Sequence, residues 1–187
     1  MKGGGAIKAI RASQGVPLTA LATGARKASF EPVWDARTRV LVLGSLPGEI
    51  SLARGEYYAN PQNQFWRLIG AVIGRPLHEL EYGAKLEALK GAGVGLWDVI
   101  ATAEREGSLD AAIRSHQANA LPELASRLAQ LKAIGFNGGK SAKIGQAALS
   151  GKCPWAQVAL PSSSPAFTRP FEEKLRAWMA LKPFLTP

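Results

Sequence analysis

Residues 39–66 read RVLVLGSLPGEISLARGEYYANPQNQFW. The run RVLVL, residues 39–43, predicts a strand that is apolar on both faces, as in a parallel sheet covered by helices. The glycines, proline, tyrosines and asparagines that follow predict a loop, and the pair Asn60-Pro61 predicts the start of a helix. Open α/β sheets bind their ligands at the carboxyl ends of strands, so this loop is the first candidate for a functional site.

The rest of the chain continues this alternation of strand and helix patterns. Three further strands are predicted at 94–100, 133–137 and 157–160. Helices are predicted from Asn60-Pro61, over 85–90, from Ser108, from Pro122, over 140–150 and from Arg169-Pro170. This order predicts an α/β fold, a three-layer α/β/α sandwich around a central, mostly parallel four-stranded sheet. A single domain is predicted over 29–187, after a flexible basic tail over 1–28.

The composition favours a polyanionic partner. The chain carries 23 Lys and Arg against 14 Asp and Glu, a net charge of +9. Basic side chains that neutralise phosphates release counterions, so this excess favours nucleic acid. Residues 1–30 hold five of the basic residues and no acidic one, which leaves 18 against 14, or +4, for the rest. The charge by itself is therefore a weak argument.

Membrane and metal proteins fit the composition poorly. No apolar run is long enough to span a bilayer. Cys153 is the single cysteine, and with the distant His78 and His116 it cannot build a disulfide, a structural zinc site or an iron–sulfur site. We expect no metal and no cofactor. We also expect a cytoplasmic, nucleoid-associated location, although the basic tail leaves organelle targeting open.

The segment GFNGGKS, residues 135–141, raises an alternative function. A Gly-Lys-Ser sequence between a strand and a helix resembles a phosphate-binding P-loop. That pattern needs a glycine where this chain has Ile134, and the loop is one residue short. A P-loop nucleotide-binding protein is therefore the less favoured interpretation.

Four segments together resemble the uracil-DNA glycosylase superfamily. They are GSLPG and YYANPQNQFW within 44–66, GVGLWDVI at 93–100, FNG at 136–138 and LPSSSP at 160–165. The first is most similar to the hypoxanthine (deoxyinosine) DNA glycosylase branch, and the resemblance covers roughly residues 29–182. It implies a monomeric enzyme that flips a deaminated base out of double-stranded DNA, hydrolyses its N-glycosidic bond and leaves an abasic site. Hypoxanthine is the expected base, and uracil is the second candidate.

The resemblance implies that Asn63 is catalytic. Much of the superfamily has a water-positioning Asp or Asn at the place of Leu46, and a leucine cannot hold a water. The hypoxanthine branch shares this loss and is thought to use the asparagine of P-x-N-x-F-W, which is Asn63 here. By spacing alone, Asn63 falls in the first helical turn after Asn60, where its amide would bond to the cap backbone instead.

The other predicted site residues divide into a base pocket and a DNA grip. The pocket is predicted to contain Gly44, Ser45, Leu46, Pro47, Gly48, Tyr58, Asp98 and Asn137, with Tyr58 stacking on the flipped base. The grip is predicted to contain Ser162, Ser163, Ser164, Pro165, Phe167 and Lys140, with Phe167 as the wedge that fills the gap in the DNA. The structural alternatives are a core tyrosine, a turn-capping aspartate and an ordinary Ser/Pro loop.

A second function follows from two missing chemical groups. Leu46 replaces the water-positioning residue, and Ser162 replaces the His or Asn with which the superfamily stabilises the leaving base. A chain with both replacements could bind nucleic acid without releasing a base.

Overall fold

The computed structural model describes residues 26–151 and 153–186 and is built on two sheets. In chain order the strands are β1 (Arg26–Ala28), β2 (Val40–Gly44), β3 (Val94–Asp98), β4 (Ile100–Glu104), β5 (Arg114–Ala118), β6 (Ala133–Asn137) and β7 (Ala156–Leu160). The helices are α1 (Glu49–Arg54), α2 (Phe65–Ile73), α3 (Tyr82–Gly91), α4 (Leu121–Arg127), α5 (Gly139–Ala148) and α6 (Phe171–Trp178). The main sheet has the order β3-β2-β6-β7, and all its neighbours are parallel. The predicted four-stranded parallel sheet is confirmed.

Helices cover both faces of the main sheet because β2 is apolar on both. Successive side chains of a strand point to opposite faces. Val40 and Val42 pack on one side with residues of α2, α3 and α6, among them the fully buried Trp178. Leu41 and Leu43 pack on the other side with residues of α4 and α5. The predicted three-layer α/β/α arrangement is therefore confirmed.

The predicted strand over 94–100 is two strands in different sheets. β3 ends at Asp98, and after Val99 the chain enters β4, which pairs antiparallel with β1 and β5. The single helix predicted from Ser108 is wrong, because only one 3-10 turn, Asp110–Ala112, lies in that region. β5 is exposed along its whole length, so its sequence lacks the apolar alternation that predicts a half-buried strand.

The small sheet also includes three residues that the sequence assigned to the tail. β1 pairs with β4 from Arg26 onward, so three residues assigned to the tail belong to the fold. The rest of the predicted tail, residues 1–25, lies outside the described residues.

The predicted helix start at Asn60-Pro61 is wrong by several residues. The side-chain oxygens of Asn60 and Asn63 accept hydrogen bonds from the backbone N–H groups of Gln62 (2.9 Å) and Phe65 (3.0 Å). These bonds form two successive Asx turns, a local alternative to helix. The helix α2 therefore begins only at Phe65.

The helices are short, from six to ten residues, and α1 was not predicted. Within the described ranges, no helix has the length and apolar character needed to cross a membrane.

Close packing of α5 on β6 depends on the absence of a side chain at Gly145. A Cβ there would lie 2.8 Å from Phe136 Cδ1 and closer still to Cε1. We therefore expect Gly145→Ala to lower the free energy of unfolding by about 1–3 kcal/mol through overpacking, measured by urea denaturation. The matched control is Gly83→Ala in α3, where a Cβ meets nothing within 4 Å and a helical alanine is favourable. Equal stability of the two variants would contradict the packing argument.

Candidate active site

A cleft of about 350 Å³ opens where the strands of the main sheet end. The sequence-predicted residues that line it are Gly44, Ser45, Leu46, Pro47, Gly48, Tyr58, Asn63, Asp98, Asn137, Ser162, Ser163, Ser164, Pro165 and Phe167. Lys140 is the predicted site residue that does not line it. Parallel strands bring their carboxyl ends to one edge, which is why loops from distant parts of the sequence meet here.

The floor of the cleft requires a glycine at the end of β2. Gly44 lies opposite Asp98 in the parallel register of β2 and β3. A Cβ on Gly44 would lie 2.5 Å from Asp98 Oδ1 and 3.0 Å from the Tyr58 hydroxyl. The Asp98 carboxyl group and the Tyr58 hydroxyl therefore occupy the space that a side chain at position 44 would need, so this position requires glycine.

Asp98 is a buried carboxyl group at the end of β3. Its residue is 3% exposed, and Oδ2 accepts a hydrogen bond of 3.0 Å from the Ser29 hydroxyl. Burial raises the pKa of Asp98 to about 7, because the charged form loses its hydration, and the nearby charge of Asp110 adds to the rise. Near neutral pH this group can therefore act either as an acceptor or as a donor.

Tyr58 lines the cleft, and its aromatic ring packs against the ring of Phe65. The ring stacks on Phe65 with 3.7 Å between centroids and 9° between planes. Its hydroxyl accepts a hydrogen bond of 3.2 Å from Asn137 Nδ2, and burial raises the pKa of the phenol, which keeps it neutral. The backbone of Tyr58 has a φ of 54°, which is unfavourable for a bulky residue and is found mostly where function or packing demands it.

Asn137 joins β6 to the Ser loop, which we define as residues 161–170 between β7 and α6. Its Nδ2 donates to the Ser163 hydroxyl at 2.8 Å, and its Oδ1 accepts from the Ser163 backbone N–H at 2.9 Å. Ser163 is thereby buried. The Ser163 hydroxyl is engaged in this junction, while Ser162 and Ser164 are partly exposed, and the predicted DNA contacts of all three stay predictions.

Arg105 is a buried cation that sequence analysis missed. It is 2% exposed and follows β4, and its guanidinium donates to the backbone carbonyls of Leu46, Pro47 and Gly107. It thereby anchors the GSLPG loop, residues 44–48, to the β4–β5 loop, residues 105–113. The sequence carries no sign of this role, because an arginine in a polar segment is usually exposed.

Two further bonds, both to Asp110, tie the β4–β5 loop to the GSLPG loop and to α5. The Asp110 carboxylate accepts a 2.5 Å hydrogen bond from the Ser45 hydroxyl, and its carbonyl accepts one of 2.5 Å from Lys140 Nζ. The half-buried Lys140 thus has a hydrogen-bond partner within the protein, and its predicted DNA contact stays a prediction.

The structure of residues 135–141 argues against the P-loop alternative. Ser141 is fully buried, and its hydroxyl donates to the Leu43 carbonyl at 2.7 Å. A P-loop serine must instead be free to bind Mg²⁺ beside the phosphates. Across the described residues, no group of three or more His, Cys, Asp or Glu side chains is arranged to hold a metal ion.

Asn63 lies in the wall of the cleft, in the turn before α2 and not in the helix. Its Oδ1 accepts from the Phe65 backbone N–H at 3.0 Å, so the side chain does bond to backbone, but to a residue after it and not to the cap backbone at Asn60 that the structural alternative predicted. Its Nδ2 donates to no other residue of the described chain. One side chain therefore both shapes the turn and leaves an amide donor for the cleft.

Comparison with known proteins identifies the family of the chain. The model of the Uracil DNA glycosylase superfamily matches residues 31–182. The chain belongs to this superfamily. Hypoxanthine DNA glycosylase of Methanosarcina acetivorans is 39% identical over 155 residues, which cover 83% of this chain and 97% of that protein. The protein of the same name from Methanosarcina barkeri is 44% identical over 116 residues, which cover 62% of this chain and 73% of that protein.

A solved structure supports the same assignment. The solution NMR structure of a candidate uracil DNA glycosylase from Methanosarcina acetivorans has a TM-score of 0.77 and 37% identity to this chain. It covers 86% of this chain and 99% of the other. The predicted membership of the superfamily is confirmed.

Leu46, which stands where much of the superfamily has a water-positioning Asp or Asn, has a structural role in this fold. Its side chain is buried in the apolar cluster that contains Leu41 and Leu43. Its backbone carbonyl is bound by Arg105. Leu46 therefore shapes the loop from the core side, and any water-positioning group must come from elsewhere in the cleft.

The buried carboxyl of Asp98 predicts a specific pH dependence of stability. Its pKa is about 7 in the folded protein and about 3.8 without burial, so the folded state binds more protons between these values. The free energy of unfolding should therefore fall as pH rises from about 4 to about 7 and then level off with respect to this group. Asp98→Asn keeps an acceptor for Ser29 but cannot ionise, so the variant should lack this fall.

The measurement is urea denaturation of both proteins at a series of pH values from 4 to 8. The difference between the two curves isolates Asp98 from all other titrating groups. Parallel curves over this range would show that Asp98 does not titrate near neutrality.

Proposed function

We propose that this protein is a monofunctional DNA glycosylase that removes hypoxanthine from double-stranded DNA by hydrolysis and leaves an abasic site. The observation that carries the proposal is that one cleft contains the aromatic ring of Tyr58, the buried carboxyl group of Asp98 and the amide N–H donors of Asn63. Two relatives at 39% and 44% identity are named hypoxanthine DNA glycosylase, which supports the same substrate. We propose further that the protein acts as a monomer at the nucleoid.

The size of the cleft suits one nucleobase. Pockets for small molecules occupy roughly 300–1,000 Å³, and this cleft of about 350 Å³ lies at the lower end. A base inside a duplex cannot reach it, so the nucleotide must turn out of the stack. The Tyr58 ring lines the cleft and is fixed by stacking on Phe65, so we assign it to stacking on the flipped base.

The edge of the base would meet Asp98. Hypoxanthine carries one ring N–H donor beside a carbonyl acceptor. A carboxyl group with a pKa of about 7 can accept from the N–H when ionised or donate to the carbonyl when protonated. Uracil presents the same donor and acceptor pair, which makes it the second candidate substrate.

The chemistry assigned to Asn63 is positioning of the nucleophilic water. Water attacks C1′ of the deoxyribose as the bond from C1′ to the base nitrogen breaks. The bonding electrons leave with the base, which gains a proton, and the sugar keeps the hydroxyl group. Because the Phe65 N–H fixes the oxygen of Asn63, the amide is held in one orientation before substrate binds.

A nucleic-acid-binding module without catalysis is the second candidate. It is favoured by the burial of Leu46 and by Ser162, which lacks the amide or imidazole of relatives. It predicts salt-sensitive DNA binding without base release.

The deciding experiment compares base release by the wild type, Asn63→Ala and Gln62→Ala. Duplexes carrying one hypoxanthine or one uracil are incubated under single-turnover conditions and treated with alkali to reveal abasic sites. The wild type should release hypoxanthine. Asn63→Ala should be slower by about 100-fold to 1,000-fold, the usual cost of removing one positioned polar group at a reaction centre. Gln62, which is exposed in the same turn, does not line the cleft and serves as the control.

Thermal unfolding of each variant shows whether loss of the Asx turn has disturbed the fold. Full activity in a folded Asn63→Ala variant would refute the catalytic assignment. Release of uracil alone would keep the reaction and change the substrate. Binding without release of either base would favour the second candidate.

A further inference from the structure

The β4–β5 loop presents an exposed leucine at the mouth of the cleft. Leu109 is 59% exposed, the largest value among the exposed large apolar residues of the described chain. Those residues are Ile50, Leu80, Leu109 and Phe167, and all of them except Leu80 line the cleft. A single exposed leucine is ordinary, but three such side chains around one opening indicate a surface that meets an apolar or aromatic partner.

Polar contacts hold the residues before Leu109 in place. The Gly107 carbonyl accepts from Lys27 Nζ at 2.8 Å and from Arg105 Nε at 3.0 Å. The Ser108 hydroxyl accepts from the Glu49 backbone N–H at 2.9 Å. These contacts fix the loop on the side of α1 and β1.

The residue after Leu109 is equally fixed. Asp110 is bound at 2.5 Å by both the Ser45 hydroxyl and Lys140 Nζ. The backbone on either side of Leu109 is therefore anchored to four separate parts of the fold. Since its neighbours are held, Leu109 is presented in a fixed place, although burying it would be favourable.

Leu109 and Phe167 belong to two different loops that line the cleft. The β4–β5 loop connects two strands of the small sheet, and the Ser loop follows β7 at one edge of the main sheet. Phe167 is 38% exposed, with the Arg169 guanidinium 5.8 Å and Lys174 Nζ 5.4 Å from its ring centre. An apolar side chain beside cations is the chemistry expected where stacked bases and phosphates meet a protein.

We propose that Leu109 is a second wedge, which packs against the base stack beside the flipped nucleotide while Phe167 fills the gap from the other loop. This inference rests on the proposed function, because it takes the cleft as the receptacle of a flipped base. Flipping unstacks the neighbouring bases at a cost of a few kcal/mol, which inserted apolar side chains offset. In single-stranded DNA no such stack has to be opened, so Leu109 should matter much less there.

The test compares Leu109→Ala, Leu109→Met and Leu80→Ala in single-turnover release of hypoxanthine from duplex and from single-stranded DNA. Leu109→Ala should be slower on the duplex by about tenfold or more and nearly unchanged on the single strand. Leu109→Met, which remains apolar and long, should retain most of the duplex activity. Leu80→Ala is the control for loss of an exposed leucine away from the cleft.

Two results would overturn the proposal. One is unchanged release from duplex by Leu109→Ala. The other is an equal loss on both substrates, since that would assign Leu109 to the shape of the loop and not to the DNA stack.

A second measurement separates failure of the wedge from failure of the proposed function. A duplex with a tetrahydrofuran abasic-site analogue next to 2-aminopurine reports binding and unstacking by fluorescence without any cleavage. Leu109→Ala should bind this duplex more weakly and raise the fluorescence less than the wild type does. If the wild type releases no base, this comparison still decides whether Leu109 acts on the stack, and equal behaviour of the two proteins would refute it.

Discussion

The side-chain amide of Asn137 is the contact on which the geometry of the cleft depends. It lies at the end of an interior strand and bonds Ser163 through both its nitrogen and its oxygen. The same nitrogen donates to Tyr58. One amide therefore fixes the Ser loop and the aromatic wall relative to the main sheet. Because the amide is buried, leaving any of these bonds unmade would cost a desolvation penalty, so the three parts are held together cooperatively.

A second set of bonds holds the opposite wall. Arg105 binds carbonyls of the GSLPG loop, and Asp110 binds Ser45. Burying a cation is costly unless its donors are satisfied, and the backbone carbonyls around Arg105 satisfy them. Hydrogen bonds thus connect both walls of the cleft to the rest of the fold before any ligand enters. Preorganisation of this kind is what a site needs if it is to hold a base and a water at fixed positions.

The main sheet was predictable because its interior strands β2 and β6 are apolar and fully buried. The strands at 40–44, 133–137 and 156–160 were predicted to within one residue at either end, and all are in the main sheet. The small antiparallel sheet was not predictable in the same way, since β5 is fully exposed and β1 has only three residues. β1 and β5 are strands because β4 supplies their hydrogen-bond partners, and a local sequence pattern does not show such pairing.

The candidate site shows the same division. Tyr58, Asn63 and Asp98 were predicted from motif resemblance, and the structure brings them into one cleft. The burial of Ser163, the Asx turn at Asn63 and the buried Arg105 were not predicted, because each depends on a partner elsewhere in the fold.

The α/β class, the parallel sheet, the superfamily and the loops that carry the site could all be inferred from the order of the residues. This was possible because apolar periodicity and short motifs are local properties of the chain. The folded structure was needed to learn which side chains are buried, which amides are already bonded and where Leu109 lies. Those properties arise from contacts between residues far apart in sequence, such as Gly44 with Asp98 and Asn137 with Ser163. Burial and hydrogen bonding depend on what surrounds a residue in space, and that is known only when the chain is folded.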